Sequence, residues 1–106
     1  MNKFENELNK GNFVISKCQK CNKIVWPVND ICDNCFSNVV WVTGSKSARI
    51  IECSKQKNDW FCLVETEDQI RMLGTLKSDN EPRIEQRILL DECFFDKKPY
   101  FMFKAV

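Results

Sequence analysis

The chain has 106 residues, of which 43% are hydrophobic and 29% are charged, the balance of an ordinary globular protein. Sixteen basic residues against 15 acidic ones leave a formal charge of +1, which argues against broad attraction to nucleic acid or anionic lipid. Histidine is absent, which excludes mixed Cys/His metal sites and the Cys–His or Ser–His pairs of nucleophilic enzymes.

The amino-terminal segment MNKFENELNKGN is polar and lacks the apolar region of a signal peptide. No apolar run approaches the roughly 18 residues that span a bilayer. We therefore expect a soluble, cytoplasmic protein with no membrane partner. In a reducing compartment, its seven cysteines are expected to be metal ligands and buried thiols and not disulfides.

The first predicted element is a short helix over residues 2–10. Phe4 and Leu8 fall on one helical face, at positions i and i+4. Asn2 and Glu5 have the spacing of a capping box, in which each side chain bonds the other residue's backbone N–H. The segment therefore carries both a buried face and a start signal.

Two pairs of cysteines follow the helix, and each pair is separated by two residues: Cys18 with Cys21, and Cys32 with Cys35. Two intervening residues let a tight turn point both sulfurs at one centre, and the ten residues between the pairs allow a hairpin. Four protein ligands leave no open position, so the pattern predicts one structural zinc ion in a rubredoxin-like ribbon. Bare spacing does not separate zinc from iron, so an electron-transfer site remains an alternative.

The rest of the chain is almost entirely strand-like. A strand over 39–43 is followed by five short apolar runs, at residues 47–54, 60–66, 69–76, 87–95 and 99–103. Antiparallel strands in so small a unit favour closure into a barrel, because closure removes exposed sheet edges. Three further cysteines lie within these runs and are predicted to be small buried thiols: Cys53, Cys62 and Cys93.

Several segments before, between and after the two cysteine pairs occur in an order that is typical of a known protein family. They are FENELNKGNF at 4–13, Val25-Trp26-Pro27, VWVTG at 40–44, VETEDQIRMLGTL at 64–76 and YFMFKAV at 100–106. In this order they resemble the acyl-CoA-associated OB-fold family of zinc-ribbon proteins, formerly a domain of unknown function. The resemblance covers nearly the whole chain. Asn22 and Phe36 depart from it, because glycine is frequent at these positions, after each cysteine pair.

The resemblance implies a mainly β fold, with a short helix and zinc ribbon over residues 1–38 and a five-stranded OB-fold barrel over residues 39–106. It also implies a non-catalytic accessory subunit that assembles with a thiolase-fold enzyme handling acyl-CoA. Archaeal members of the family bridge acetoacetyl-CoA thiolase and HMG-CoA synthase and help to enclose the CoA-bound intermediate.

Candidate contacts to CoA or to the partner are cations, which bond phosphates, and an aromatic-proline pair, since aromatic residues are favoured at interfaces. They are Lys17, Lys20, Lys23, Trp26, Pro27 and Arg71. The competing function is single-stranded nucleic-acid binding, for which OB folds use aromatic platforms in basic grooves. The near-neutral charge argues against it. No nucleophile motif is present, so we expect no catalytic activity of its own.

Overall fold

The computed structural model describes residues 2–106 and contains one helix and eight strands. The elements are α1 (Lys3–Asn9), β1 (Val14–Cys18), β2 (Ile24–Val25), β3 (Val39–Thr43), β4 (Ser47–Gln56), β5 (Asp59–Thr66), β6 (Arg71–Lys77), β7 (Arg87–Asp96) and β8 (Lys98–Ala105). They form a sheet in the order β2-β1-β3 and a closed barrel in the order β4-β5-β6-β8-β7. The predicted mainly β class is confirmed. Within residues 2–106, no helix has the length and apolar content to cross a membrane.

The amino-terminal helix starts as the capping pattern predicts. The Asn2 side chain accepts the Glu5 N–H at 2.9 Å, and the Glu5 carboxylate accepts the Asn2 N–H at 3.2 Å. Phe4 and Leu8 are buried in the main core. At the other end of the helix, the Asn9 side chain accepts the Phe95 N–H of β7 at 3.0 Å. The helix is therefore attached to the barrel through both its apolar face and its last turn.

The strand at Val39–Thr43 belongs to the ribbon sheet. It pairs with β1 in antiparallel register, from Val14↔Thr43 to Cys18↔Val39. The barrel strands begin at Ser47, where the first of the five predicted runs also begins. The division into folding units at residue 38 stays a prediction.

The barrel closes through one parallel pair, β6 with β8, whereas only antiparallel strands were expected. The other four strand pairs of the barrel are antiparallel. Strand direction cannot alternate all the way around a ring with an odd number of members. A closed barrel of five strands therefore needs at least one parallel pair, which here joins Thr75–Lys77 to Met102–Lys104.

One core connects the ribbon to the barrel, and Phe13 lies at its centre. The Phe13 ring makes edge contacts with Trp26 of the ribbon, at 6.3 Å between centroids, and with Phe101 of β8, at 5.6 Å. Gly44 allows this packing, because a Cβ there would lie 2.6 Å from Cδ2 of Phe13. The ribbon and the barrel are thus packed around the same buried ring.

Cys53 and Cys62 form a disulfide, which corrects the expectation of separate buried thiols at these positions. The two residues lie directly opposite each other on β4 and β5, with Cα atoms 4.2 Å apart. The short turn after Gln56 sets this register, which composition alone does not reveal. Cys93 is a buried free thiol, as predicted, and burial raises its pKa.

Arg49 joins two carboxylates on the barrel surface. Its guanidinium donates to Glu65 on β5 and to Glu85 before β7, at 2.5 Å in each case. The hydrogen bond from Arg49 is the main reason why the pKa of Glu65 is held below its usual value. The ionised form of Glu65 therefore stabilises the fold.

Acid is expected to remove the stabilisation that Arg49 provides. Because the Glu65 pKa is lower in the folded state than in the unfolded state, the benefit is complete at neutral pH. It is lost as pH falls through the folded-state pKa. Denaturant unfolding of wild type and Arg49→Met between about pH 7 and about pH 3 should show a stability gap that narrows with acid. A gap independent of pH would contradict this assignment.

Candidate metal centre

The four predicted cysteines meet at the tip of the ribbon sheet. Cys18 ends β1 and Cys21 lies in the turn that follows it. Cys32 and Cys35 lie in a second turn, which an isolated β-bridge closes. All four sulfur atoms lie within 4.8 Å of one another. The fold therefore brings two turns that are distant in sequence to one point.

The spacing of the sulfurs suits one tetrahedral metal ion. The Cys18 and Cys35 sulfurs are 3.3 Å apart, and the Cys21 and Cys32 sulfurs are 3.7 Å apart. Four Zn–S bonds of about 2.3 Å would place the sulfurs about 3.8 Å apart in a regular tetrahedron. Cys18 and Cys32 are fully buried, and Cys21 is exposed. The size and the donor set fit a single thiolate-bound ion.

Backbone N–H groups support the sulfurs in their ligating form. Cys18 Sγ accepts the Lys20 N–H at 3.4 Å and the Cys21 N–H at 3.3 Å, and Cys32 Sγ accepts the Asn34 N–H at 3.4 Å. The Cys21 N–H is the main cause of a lowered pKa at Cys18. Such bonds favour the thiolate, which is the form that binds metal.

Ser37 makes a similar contribution at the fourth sulfur. Its side chain hydrogen-bonds to Cys35 and, with its backbone N–H, lowers the pKa of that thiol to about 6. The hydrogen bonds from Ser37 therefore favour the thiolate form of Cys35, which is the form that binds metal.

Each cysteine turn ends in a residue with left-handed backbone geometry. Asn22 has φ 62° and Phe36 has φ 60°, and their N–H groups bond the Cys18 and Cys32 carbonyls at 3.1 and 3.0 Å. Asparagine tolerates this conformation, whereas a bulky side chain costs about 1–2 kcal/mol there. The second cysteine turn nevertheless has a phenylalanine at this position, and the Phe36 side chain is 80% exposed.

Three of the six candidate contact residues meet in one cleft between the ribbon and the barrel. Lys23 and Trp26 line it from the ribbon and Arg71 lines it from β6, around a volume of about 450 Å³. The Trp26 indole N–H donates to the Arg71 carbonyl at 3.2 Å. Pro27 follows Trp26 through a cis peptide bond and is exposed. We call this space the ribbon–barrel cleft.

The two cations of the cleft are paired but open to solvent. Lys23 lies 3.0 Å from Asp33, and Arg71 lies 3.5 Å from Glu65. Their side chains are 49% and 60% exposed, so both charges can still reach an anion. Asp68 also lines the cleft, where its carboxylate accepts the Ser45 N–H at 2.6 Å. The cleft therefore offers an aromatic ring beside two accessible cations.

The other two candidate lysines lie elsewhere on the ribbon. Lys17 is on β1, directly opposite Val40 of β3. Lys20 is exposed in the first cysteine turn and borders a shallow concavity with Phe36. Neither lysine lines the ribbon–barrel cleft, although Lys17 pairs with Ile24, which does.

A second aromatic surface lies on the outside of the barrel and was missed by the sequence analysis. Phe94 stacks on Tyr100 with centroids 4.8 Å apart, and the Lys98 ammonium lies 5.2 Å from the Tyr100 ring. Phe61 and Leu73 are exposed beside them, around a concavity of about 210 Å³. Side chains alternate between the inside and the outside of a barrel strand, so these residues could be assigned to the outer face only after the inward positions were known. We call this surface the outer aromatic face.

Comparison with known proteins identifies the fold. No protein-family model and no curated protein sequence matches the chain. A solved structure described as "Ltp2-ChsH2(DUF35) aldolase" has a TM-score of 0.79 at 15% identity, over 99% of this chain and 96% of that chain. A protein of unknown function from the DUF35 family of Sulfolobus solfataricus has a TM-score of 0.70 at 17% identity, over 98% of this chain and 83% of that chain. The chain has the fold of these DUF35 proteins, in agreement with the resemblance drawn from its sequence.

Proposed function

We propose that this chain is a cytoplasmic, non-catalytic accessory subunit of an acyl-CoA-handling enzyme of the thiolase fold. The observation that carries the proposal is the likeness, along the whole chain, to DUF35 structures. One of them is named for a DUF35 protein together with Ltp2 in an aldolase, which supports a partner enzyme for this chain. Acetoacetyl-CoA thiolase and HMG-CoA synthase are the partner types that the sequence resemblance favours.

The metal of this subunit is one structural zinc ion, held by Cys18, Cys21, Cys32 and Cys35. The distances between their sulfurs suit its tetrahedral coordination. Zinc bound by four thiolates has no free position for substrate, so it supplies folding energy and not catalysis. Reaction chemistry is accordingly assigned to the partner enzyme.

The ribbon–barrel cleft is the proposed contact for the phosphate-bearing part of a CoA thioester held by the partner. Lys23 and Arg71 can donate charge-assisted hydrogen bonds to phosphate, and Trp26 offers an aromatic surface beside them. A salt-bridged cation that stays exposed can exchange its carboxylate for a phosphate at small cost.

Removing both cations should weaken CoA binding to the assembled complex. We expect Lys23→Ala combined with Arg71→Ala to raise the CoA dissociation constant about ten-fold, because two charge-assisted hydrogen bonds are lost. Isothermal titration with a CoA thioester measures the change. The matched control, Lys57→Ala with Lys77→Ala, removes equal charge from positions outside the cleft lining and should leave affinity unchanged. Equal CoA affinities for both double variants would show that CoA does not bind in this cleft.

Co-purification tests the proposed function as a whole. A tagged chain expressed in its native host should retain a thiolase-fold enzyme in near-equal amount, identified by mass spectrometry, and should turn over no acyl thioester when purified alone. Recovery of the chain without any such enzyme, both with and without an added CoA thioester, would refute the accessory role.

The outer aromatic face favours a second candidate function, the binding of single-stranded nucleic acid. Stacked rings beside a lysine suit unpaired bases and their phosphates, and OB folds use such platforms. Oligonucleotide binding that weakens with salt and disappears in Tyr100→Ala would support this function over the accessory role. Absence of binding at low salt would dismiss it.

A further inference from the structure

Phe36 at the ribbon tip is placed unfavourably in two independent ways. Its backbone is left-handed, at φ 60°, and 80% of its side chain is exposed. It belongs to neither buried cluster, and no aromatic ring among residues 2–106 pairs with it. Packing within the described chain therefore gives no reason for a large ring at this position.

More exposed apolar surface lies on the adjoining strand face. Ile31 is 47% exposed and Val40 is 42% exposed. Ile31 is bridged directly to Asn38, and Val40 is two residues beyond Asn38, so both side chains are on the same side. Asn38 and Phe36 line the same shallow concavity. We call Ile31, Phe36 and Val40 together the ribbon-tip patch.

The concavity beside Phe36 is positive, whereas Asp30 and Asp33 flank Ile31 on the other side and Asp33 is paired with Lys23. Lys20 lines the concavity with Phe36, and the other lining residues, Gln19, Ser37 and Asn38, are uncharged. Lys17 lies directly opposite Val40 in the sheet. Neither lysine has a carboxylate within 4.0 Å among residues 2–106. An incoming surface with carboxylates would complement both.

We propose that the ribbon-tip patch is the surface that docks on the partner enzyme, with Phe36 inserted into an apolar pocket whose rim is acidic. The inference rests on the proposed function and specifies its interface. Buried aromatic side chains within a charged rim dominate the affinity of many protein interfaces. The cysteine turn holds the Phe36 backbone through its bond to the Cys32 carbonyl, which presents the ring in a fixed direction.

Replacing Phe36 with glycine separates docking from folding, because it should weaken docking without lowering the stability of the chain. Phe36→Gly relieves the left-handed backbone, so the thermal midpoint of the free chain should be unchanged or higher, with its metal content retained. Recovery of the thiolase-fold enzyme with the tagged chain should fall at least about ten-fold. Asn22→Gly is the matched control, since it relieves the same geometry at the first cysteine turn and keeps the ring.

A charge variant and the negative outcomes complete the test. Lys20→Glu should weaken co-purification, and the loss should shrink in high salt. Wild-type recovery of the enzyme with Phe36→Gly would overturn the docking surface and leave the accessory role standing. Metal loss in Phe36→Gly would also overturn it, since the ring would then serve the ribbon itself. A wild-type chain that retains no such enzyme would refute the accessory role, and this surface with it.

Discussion

Replacing Cys32 with serine is expected to reduce bound zinc from one ion per chain to below about a tenth of an ion, and to unfold the two cysteine turns at the ribbon tip. Cys32 is fully buried and supplies one of four sulfurs. Among residues 2–106, its buried cluster consists of Cys18, Val25 and Cys32 itself, with Cys35 and Val39 packed against it. Most of that small cluster is the metal site itself, so little apolar core remains to hold the turns when the metal is lost.

The size of this effect follows from the energy of structural zinc. Such sites contribute about 10–16 kcal/mol in small peptides, which is comparable to the roughly 5–15 kcal/mol that stabilises an entire domain. Elemental analysis and limited proteolysis of reduced protein measure both outcomes, and new cleavage should appear between residues 18 and 38. Cys93→Ala is the control, because this free cysteine lies in β7 of the barrel. Full zinc content in Cys32→Ser, or equal loss in Cys93→Ala, would contradict the ligand assignment.

Phe103→Ala is expected to destabilise the barrel by about 3–5 kcal/mol. The Phe103 side chain is 1% exposed and lies across the parallel seam, where it is in register with Leu76. It fills the space above Gly74, since a Cβ at that position would be 2.5 Å from Cε2 of Phe103. Truncation would leave a cavity at the seam that closes the barrel.

The matched control for this substitution is Phe94→Ala on the outer aromatic face. Phe94 is 40% exposed, so its loss should cost less than about 1.5 kcal/mol. Equilibrium denaturant unfolding of the three proteins gives both values. Similar losses for the two substitutions would contradict the assignment of inward and outward positions on β7 and β8.

Local patterns predicted the local structure well. The helix over residues 3–9 starts at a capping box that needs only Asn2 and Glu5, which are three residues apart. The cysteine turns likewise depend on short spacings, and the four sulfurs meet as that spacing requires. The barrel runs were located to within a few residues, because their alternation is set by burial of one face.

Partners distant in sequence could not be predicted in the same way. The strand Val39–Thr43 was predicted from its own residues, but its antiparallel pairing with β1 was not. The Cys53–Cys62 disulfide and the parallel pairing of β6 with β8 depend on register and closure. Neither can be read from the amino-acid composition or from the periodicity of apolar residues.

For the candidate binding residues, too, the sequence predicted the chemistry of single residues but not which of them lie together. Lys23, Trp26 and Arg71 were chosen for their chemistry, and the fold brings them to one cleft through a hydrogen bond between residues 45 positions apart. Phe36 was noticed only because it occupies a position that favours glycine. Its exposure, which motivates the docking surface, became visible only in the folded chain.

Reconstitution of the partner enzyme tests the central claim most directly. The purified thiolase-fold enzyme should be assayed for acyl-CoA turnover alone, with the zinc-loaded chain, and with Cys32→Ser protein, beside an assay of the chain alone. We expect no turnover by the chain alone, an increase in the partner's turnover when the zinc-loaded chain is added, and no increase with the variant. Turnover of an acyl thioester by the chain alone, or a partner rate that the zinc-loaded chain leaves unchanged, would contradict it.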